Sequence, residues 1–153
     1  MDCALSLRHL TSSIHATLAA LVFATGAANA EGTARIQQSD GSIKVYRDVR
    51  LVLTRWTLWV RTADRQGVLE VVSQACSFEN QIQRCLPFKL TLHQAGKRLP
   101  IALEYGTVYM NFSDAVHRLP HVADRLGPGE ALVLLRTRRG TYVSVAGRLD
   151  GVT

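Results

Sequence analysis

Two histidines four positions apart are the first residues in this chain whose spacing could do chemistry. On a helix, His117 and His121 would turn their imidazoles toward one metal ion. Pro120 stands between them and interrupts such a helix, and the only acids near them are Asp114 and Asp124. We therefore expect no metal site here. The same residues remain a candidate catalytic centre for a small secreted hydrolase.

Known catalytic motifs do not occur in the sequence. It contains no G-x-S-x-G, no H-E-x-x-H, no P-loop and no G-x-G-x-x-G, and Gly127-Pro128-Gly129 lacks the rest of a phosphate-binding motif. We therefore predict no catalytic residue, no cofactor and no metal ligand. A binding protein is favoured over an enzyme.

Cys76 and Cys85 have the spacing of a cross-strand disulfide. If Asn80 and Gln81 form a two-residue hairpin loop, the cysteines face each other at a non-hydrogen-bonded position, where side chains approach most closely. A ring of about ten residues contributes roughly 2.5–3 kcal/mol to stability in the chain-entropy model. The alternative, a redox or zinc role, lacks a C-x-x-C motif and a clustered histidine. We predict a structural bridge.

Arginines are grouped in two parts of the chain, one at a predicted turn and one beside aromatic residues. One group flanks a predicted turn at Arg138-Arg139, which would place Arg136 opposite Thr141. The other shares the first predicted strands with two tryptophans. Such sets bind single-stranded nucleic acid, polyanionic glycans or lipid phosphates, although arginines also keep the outer faces of edge strands soluble. The candidate ligand-binding residues are Trp56, Trp59, Arg136, Arg138, Arg139 and Arg148.

Residues 1–30 have the pattern of a secretory signal peptide. A basic n-region precedes the apolar stretch 16–24, and small residues end in the A-x-A site Ala28-Asn29-Ala30. The alternatives are an N-terminal anchor or an amphipathic helix of the domain. Cys3 precedes the apolar stretch, whereas a lipoprotein cysteine follows it. We predict cleavage before Glu31 and export to the periplasm or the medium of a bacterium, since the preference for Arg over Lys is typical of GC-rich genomes.

The remaining chain, 31–153, keeps the whole net charge. The full sequence has 153 residues and a charge of +6, and residues 1–30 contain one base, Arg8, and one acid, Asp2. With 47% hydrophobic and 20% charged residues, the chain has enough apolar material for a core but is too short for a multidomain enzyme. No apolar run reaches the about 18 residues of a membrane-spanning helix. We expect a single exported domain without a transmembrane segment.

Alternation of apolar and polar residues with period two recurs from Ile43 to Leu149 and predicts strands. In the first predicted strand, Ile43 and Val45 alternate in step with Val49, so all three side chains should lie on one face of the sheet. Pro100 predicts an edge strand, since proline lacks the N–H that a sheet requires. About eight short strands joined by tight turns favour an all-β fold, either an antiparallel β-sandwich or a small barrel, with one hairpin disulfide.

The segment 113–129 is the longest without strand alternation. Ser113 or Asp114 could cap a short helical turn ended by Pro120. Alternatively, the segment crosses one end of the core and packs its apolar residues against it. Those apolar residues are Val116, Leu119, Val122 and Leu126.

The sequence supports two functional hypotheses. The first is a non-enzymatic exported β-domain that binds through a sheet face or the 113–129 segment. Its partner would be a cell-envelope protein, an anionic envelope component or a small ligand. The alternative is a small secreted hydrolase that uses His117 or His121 with a nearby acid.

Overall fold

The computed structural model describes residues 32–62, 67–79, 81–119 and 124–152. This part of the chain is all-β and contains no helix, which confirms the predicted fold class. The predicted signal peptide and its cleavage site lie outside the described residues. Within the described ranges, no helix is long and apolar enough to cross a bilayer.

Eleven strands lie in the described ranges. They are β1 (Gly32–Gln37), β2 (Ile43–Thr54), β3 (Thr57–Arg61), β4 (Val68–Glu79), β5 (Ile82–Gln94), β6 (Lys97–Ile101), β7 (Leu103–Asn111), β8 (His117–Leu119), β9 (Asp124–Leu126), β10 (Glu130–Thr137) and β11 (Tyr142–Val152). The alternation pattern did not predict β1. Its inward positions include the small Ala34, so its hydrophobic alternation is weak.

Nine strands form one sheet that closes on itself like a small barrel. Their order is β4-β3-β2-β1-β11-β10-β7-β5-β6, and pairing of β4 with β5 closes the ring. Neighbouring strands are antiparallel except where β11 runs parallel to β2, from Leu149 opposite Leu51 onward. The connections therefore alternate between two ends. One end carries the turns 38–42, 95–96 and 137–141, and the other, which we call the disulfide end, carries the turn 55–56 and the hairpin tip 79–82.

Two glycines allow β1, β2 and β11 to converge where the ring changes from antiparallel to parallel pairing. A Cβ on Gly147 would lie 2.5 Å from the Cα of Gly32, and a Cβ on Gly32 would lie 2.8 Å from the carbonyl oxygen of Val49. Any side chain at either position would collide with backbone, which does not yield. Only glycine permits this approach.

Side chains fill the interior of the ring. The inward-facing residues are almost all aliphatic, and many are fully buried, including Leu51, Val71, Leu90 and Val133. Burying each such side chain contributes on the order of 1.5–3 kcal/mol.

A bulge in β2 inverts the predicted parity of its first half. Asp48 has a φ of 58°, and the pairing with β1 shifts between Gly32 and Ala34. The predicted inward position of Ile43 and Val45 is therefore wrong, because both side chains are exposed on the outer face. Alternation cannot reveal a bulge when apolar residues continue at the same spacing through it.

The cysteine hairpin has the predicted register. Cys76 faces Cys85 with their Cα atoms 4.1 Å apart, and the two are disulfide-bonded. The tip turns through Gln81, whose φ of 67° is left-handed, while Asn80 lies outside the described residues. The predicted bridge is therefore confirmed.

The 113–129 segment contains a small β-hairpin and, in its described part, no helical turn, so the capped helix was a wrong prediction. Strands β8 and β9 pair only with each other. Leu119 and Leu126 pack on the outer face of the main sheet, against Leu132, Tyr109 and their neighbours. The predicted packing of these two leucines is confirmed.

The other two apolar residues predicted to pack from this segment do not support that prediction. Val116 is 60% exposed, so its predicted packing is wrong. Val122 lies outside the described residues.

Strand β6 ends the order of the main sheet, as Pro100 predicted. Gln94 and Lys97 flank a two-residue turn, so the backbone N–H and C=O groups of residues 97, 99 and 101 bond to β5. The backbone groups of residues 98 and 100 point the other way, toward the open edge of the sheet. Proline has no N–H, and the next outward carbonyl, that of Ala102, already accepts the N–H of Arg138 at 2.8 Å. Arg98 therefore offers the single N–H of β6 that points toward the open edge. Because one N–H cannot support a ladder of hydrogen bonds, the edge is protected from pairing with another chain.

Removing the disulfide should weaken the domain without changing its fold. We expect Cys76→Ala/Cys85→Ala to lower the free energy of unfolding by about 2.5–3 kcal/mol, since the open loop gains entropy in the unfolded chain. Urea denaturation measures this, with the wild-type protein unfolded under reductant as the control. Equal stability of variant and oxidised wild type would contradict it.

Replacing Pro100 should expose the sheet edge. Pro100→Val adds an outward N–H, and one further intermolecular hydrogen bond should strengthen self-association by about three- to tenfold. Light scattering over a concentration series measures this. Leu99→Val is the matched control, because the N–H of residue 99 points toward β5; equal association of the two variants would refute the edge argument.

Candidate functional site

An arginine lies between two tyrosines on the outer face of the sheet. Pairing places Arg136 of β10 opposite Tyr105 of β7 and opposite Tyr142 of β11. The guanidinium carbon is 4.9 Å from the ring centre of Tyr142 and 6.0 Å from that of Tyr105. Both distances fall within the range of cation–π attraction. We call Tyr105, Arg136 and Tyr142 the tyrosine–arginine row.

Glu104 and the tyrosines fix the charge state of this row. The Nε atom of Arg136 lies 2.9 Å from a carboxylate oxygen of Glu104, although its N–H is not directed at that oxygen, so the contact is ionic. Hydrogen bonding with Tyr105 raises the pKa of Arg136, and burial raises the pKa of Tyr142. The row therefore holds a permanent cation beside the Tyr142 ring, which stays neutral at physiological pH.

The turn after Arg136 displays two more arginines. The N–H of Thr137 donates to the carbonyl of Thr141 at 2.9 Å, so Arg136 pairs with Tyr142 and not with Thr141 as predicted. Arg138 and Arg139 are exposed at the tip. Their backbone is anchored because the N–H of Arg138 donates to the strand connection at Ala102.

Further cations lie at the same end of the ring. Lys97 and Arg98 follow the 95–96 turn and are exposed. The arginine–carboxylate pairs found among described residues join Arg50 to Asp150 and Arg136 to Glu104, and His93 contacts Glu70. Within that part of the chain, Arg138, Arg139, Lys97 and Arg98 have no carboxylate partner. We call this end, with the tyrosine–arginine row, the basic end.

Arg35 extends the basic face onto β1. It lies on the outer face opposite Ser144, two residues along the strands from the pair of Gln37 and Tyr142. Its Nε atom is buried and makes no hydrogen bond within the described residues. Sequence reasoning had not selected Arg35, because β1 was not predicted.

Arg148, the fourth predicted arginine, lies far from the other three. It pairs with Glu130 near the opposite end of β10 and β11, close to Gly129. The predicted arginines are therefore divided, with Arg136, Arg138 and Arg139 together and Arg148 apart.

Trp59 of β3 lies beside a histidine–carboxylate contact between β5 and β4. Its indole N–H donates to the hydroxyl of Thr54 at 2.7 Å, and its ring centre is 5.8 Å from that of His93. The Nε2 atom of His93 lies 3.0 Å from a carboxylate oxygen of Glu70, whose side chain is 10% exposed. The Trp59 ring is therefore part of a packed aromatic and polar group on the outer face of these strands.

Trp56 lies at the disulfide end, remote from Arg136. It occupies the turn between β2 and β3 and is 59% exposed. The six predicted ligand-binding residues therefore do not form one site.

His117 has a hydroxyl partner. Its Nε2 atom lies 2.8 Å from the Oγ atom of Ser113, and that hydroxyl has two acceptors, Oδ1 of Asn111 at 2.7 Å and the carbonyl of Ala115 at 3.2 Å. When the hydroxyl donates to either acceptor, the serine oxygen accepts the Nε2–H of the histidine, and in that tautomer His117 is no base for the serine. His121 and the side chain of Asp124 lie outside the described residues, which contain no cluster of three or more His, Cys, Asp or Glu residues able to hold a metal ion.

Asn111 is fully buried and uses its complete hydrogen-bonding capacity. Its amide nitrogen donates to the carbonyls of Ala115 and Leu126, both at 2.8 Å, and its oxygen accepts from the N–H and the hydroxyl of Ser113. This side chain ties both ends of the β8–β9 hairpin to β7. The Ser113–His117 contact belongs to this structural network.

Comparison with known proteins finds no matching family model, no matching curated protein and no matching solved structure.

The tyrosines of the row are the main candidate site residues that the sequence did not predict. Tyr142 lies six positions after Arg136, and counting back from a turn at residues 138–140 would have paired them. Tyr105 could not be found in this way, because β7 joins β10 across a long segment whose register no local signal sets.

Losing the Asn111 amide should detach the hairpin. Asn111→Ala leaves the carbonyls of Ala115 and Leu126 without their partner, so we expect a loss of about 2–4 kcal/mol of unfolding free energy. Thermal or urea denaturation measures it. Ser113→Ala, which removes only a half-exposed hydroxyl, is the control and should cost about 1 kcal/mol; equal losses would contradict the assignment.

Proposed function

We propose that this chain is an exported, non-enzymatic β-domain that binds an anionic component of the bacterial cell envelope at its basic end. The observation that carries the proposal is the tyrosine–arginine row beside the Arg138-Arg139 turn. The anion would be a phosphate, carboxylate or sulfate group of a lipid headgroup or glycan.

The row is suited to anion recognition because its central cation is already ordered. Arg136 is held by two rings and by Glu104, so less side-chain entropy is lost when a ligand binds than with a free arginine. Guanidinium groups donate paired hydrogen bonds to carboxylate and phosphate oxygens. Tyr105, 55% exposed, adds a flat surface beside the charge.

The neighbouring cations add attraction over a longer range. Arg138, Arg139, Lys97 and Arg98 lack carboxylate partners in the described part of the chain, so their charge is not neutralised locally. Such a surface steers an anionic partner and raises its association rate.

The other features of the chain agree with binding outside the cytoplasm. The ring interior is packed with aliphatic side chains, which favours a surface site over an enclosed pocket. The Cys76–Cys85 bridge fits an oxidising compartment, as does the predicted signal peptide.

Charge reversal at the turn tests the proposal. We expect Arg138→Glu/Arg139→Glu to weaken binding of the exported protein to lipopolysaccharide, or to the polyuronate alginate, by at least about tenfold at low salt. The difference should vanish near 1 M salt, where the screening length falls to about 3 Å. Surface plasmon resonance over a salt series measures both effects.

The matched control reverses two exposed arginines outside the basic end. Arg84→Glu/Arg118→Glu changes the net charge equally and should leave most of the affinity intact. Equal weakening by both double variants would reduce the effect to net charge and refute the site. Indifference of the wild type to both probes, or preference for a single-stranded oligonucleotide over them, would refute the envelope ligand.

A further inference from the structure

We infer that the disulfide end carries a second binding site, for a saccharide ring, built on Trp56. This site lies at the opposite end of the ring from the basic end and does not depend on it. It consists of an exposed indole beside a small recess with unpartnered polar groups.

The recess is large enough for about one water molecule. Its volume is about 20 Å³, and its apolar wall includes the Cys76–Cys85 bridge. Its lining residues are Leu53, Arg55, Trp56, Leu58, Ser73, Cys76, Gln83, Cys85, Val108 and Met110. A space of this size accepts one hydroxyl group but no larger side chain.

Three polar side chains line the recess without a partner. Within the described residues, Arg55, Ser73 and Gln83 make no side-chain hydrogen bond or ion pair. Ser73 is 7% exposed, whereas Gln83 is half-buried and Arg55 is exposed. An occupant of the recess would offer hydrogen-bonding partners to these three groups. Together they supply an alcohol, an amide and a guanidinium, which match both the donor and the acceptor character of sugar hydroxyls.

Trp56 is fixed in its exposed position. Its carbonyl accepts the N–H of Ser73 at 2.8 Å, and the preceding Arg55 has a left-handed φ of 52°. An ordered backbone holds the indole at the mouth of the recess. The ring is 59% exposed, an unusual position for the largest aromatic side chain.

A second aromatic residue widens this surface. Phe78 is 69% exposed and pairs across the hairpin with Gln83, whose side chain lines the recess. Phe112, 43% exposed, follows the end of β7 at the same end of the ring. Exposed aromatic residues grouped around polar groups mark an interaction surface.

A pyranose ring fits these features better than a protein side chain does. One face of the sugar presents C–H groups that stack on an indole, while its edge presents hydroxyl groups. A single hydroxyl would fill the recess and bond to Ser73 and Gln83. A protein anchor residue requires a pocket that buries a whole side chain, and this recess is too small for one.

Tryptophan fluorescence can report this binding directly. The chain has two tryptophans, so Trp59→Phe leaves Trp56 as its one indole. We expect saturable changes in emission when the exported Trp59→Phe protein is titrated with cellotetraose, the tetramer of N-acetylglucosamine or tetragalacturonate. At least one should bind with a dissociation constant below about 1 mM. A preference for the acidic tetramer would assign Arg55 to a carboxylate, and a preference for a neutral one would assign it to hydroxyls.

Variants followed by calorimetry separate this site from non-specific effects. Trp56→Ala should weaken binding by at least about tenfold, Trp56→Tyr should restore part of it, and Gln83→Ala should weaken it about three- to tenfold. Phe88→Ala, which removes another exposed aromatic ring of β5 outside the recess, should leave the affinity unchanged. Arg138→Glu/Arg139→Glu should also leave it unchanged, so a failure of the proposed function and a failure of this site are distinguishable.

Three results would overturn the inference. The first is an absence of saturable binding to all three saccharides, and the second is unaltered affinity after Trp56→Ala. The third is a loss of self-association in Trp56→Ala without any saccharide binding, which would assign the aromatic surface to a protein contact. Circular dichroism of each variant confirms that it is folded.

Discussion

The backbone contact between Gly32 and Gly147 is the constraint on which the ring depends. It brings β1 between β2 and β11, and beyond it β11 continues directly along β2 in parallel. Without this convergence, β2 and β11 would lack their direct pairing beyond the start of β1, and both would present free edges there. The direct pairing satisfies these backbone groups and encloses the aliphatic side chains of both strands in one core. The wall of the ring is continuous at this point because two glycines let the backbones approach.

The two ends differ because closed antiparallel sheets place alternate connections on opposite sides. Arg138 and Arg139 occupy one set of connections, and Trp56 occupies the other. The rigid ring holds these chemistries apart, so one could bind a charged group while the other binds an uncharged surface. A long anionic glycan or glycolipid would offer both kinds of group on one molecule.

Local features of the fold were predictable from the sequence, and non-local ones were not. The Cys76–Cys85 register follows from a two-residue loop, and the edge position of β6 follows from the missing N–H of Pro100. The parity of Ile43 and Val45 failed because a bulge at Asp48 leaves no trace in the alternation. Closure of the ring joins strands distant in sequence, which a pattern of period two cannot specify. For the same reason, Arg136 and its turn were predictable candidates, whereas its partner Tyr105 was not.

The dependence of the β8–β9 hairpin on Asn111 has a consequence for how the domain opens. Within the described residues, this hairpin shares no strand pairing with the main sheet, and two leucines and the Asn111 amide contribute to its attachment. We therefore expect it to open as a unit of its own while the ring stays closed. Each opening would expose the outward-facing side chains of Leu132 and Ala146 to solvent. Amide protons beneath the hairpin would then exchange with solvent before those elsewhere in the ring. Hydrogen exchange would thus distinguish this outer layer from the ring beneath it.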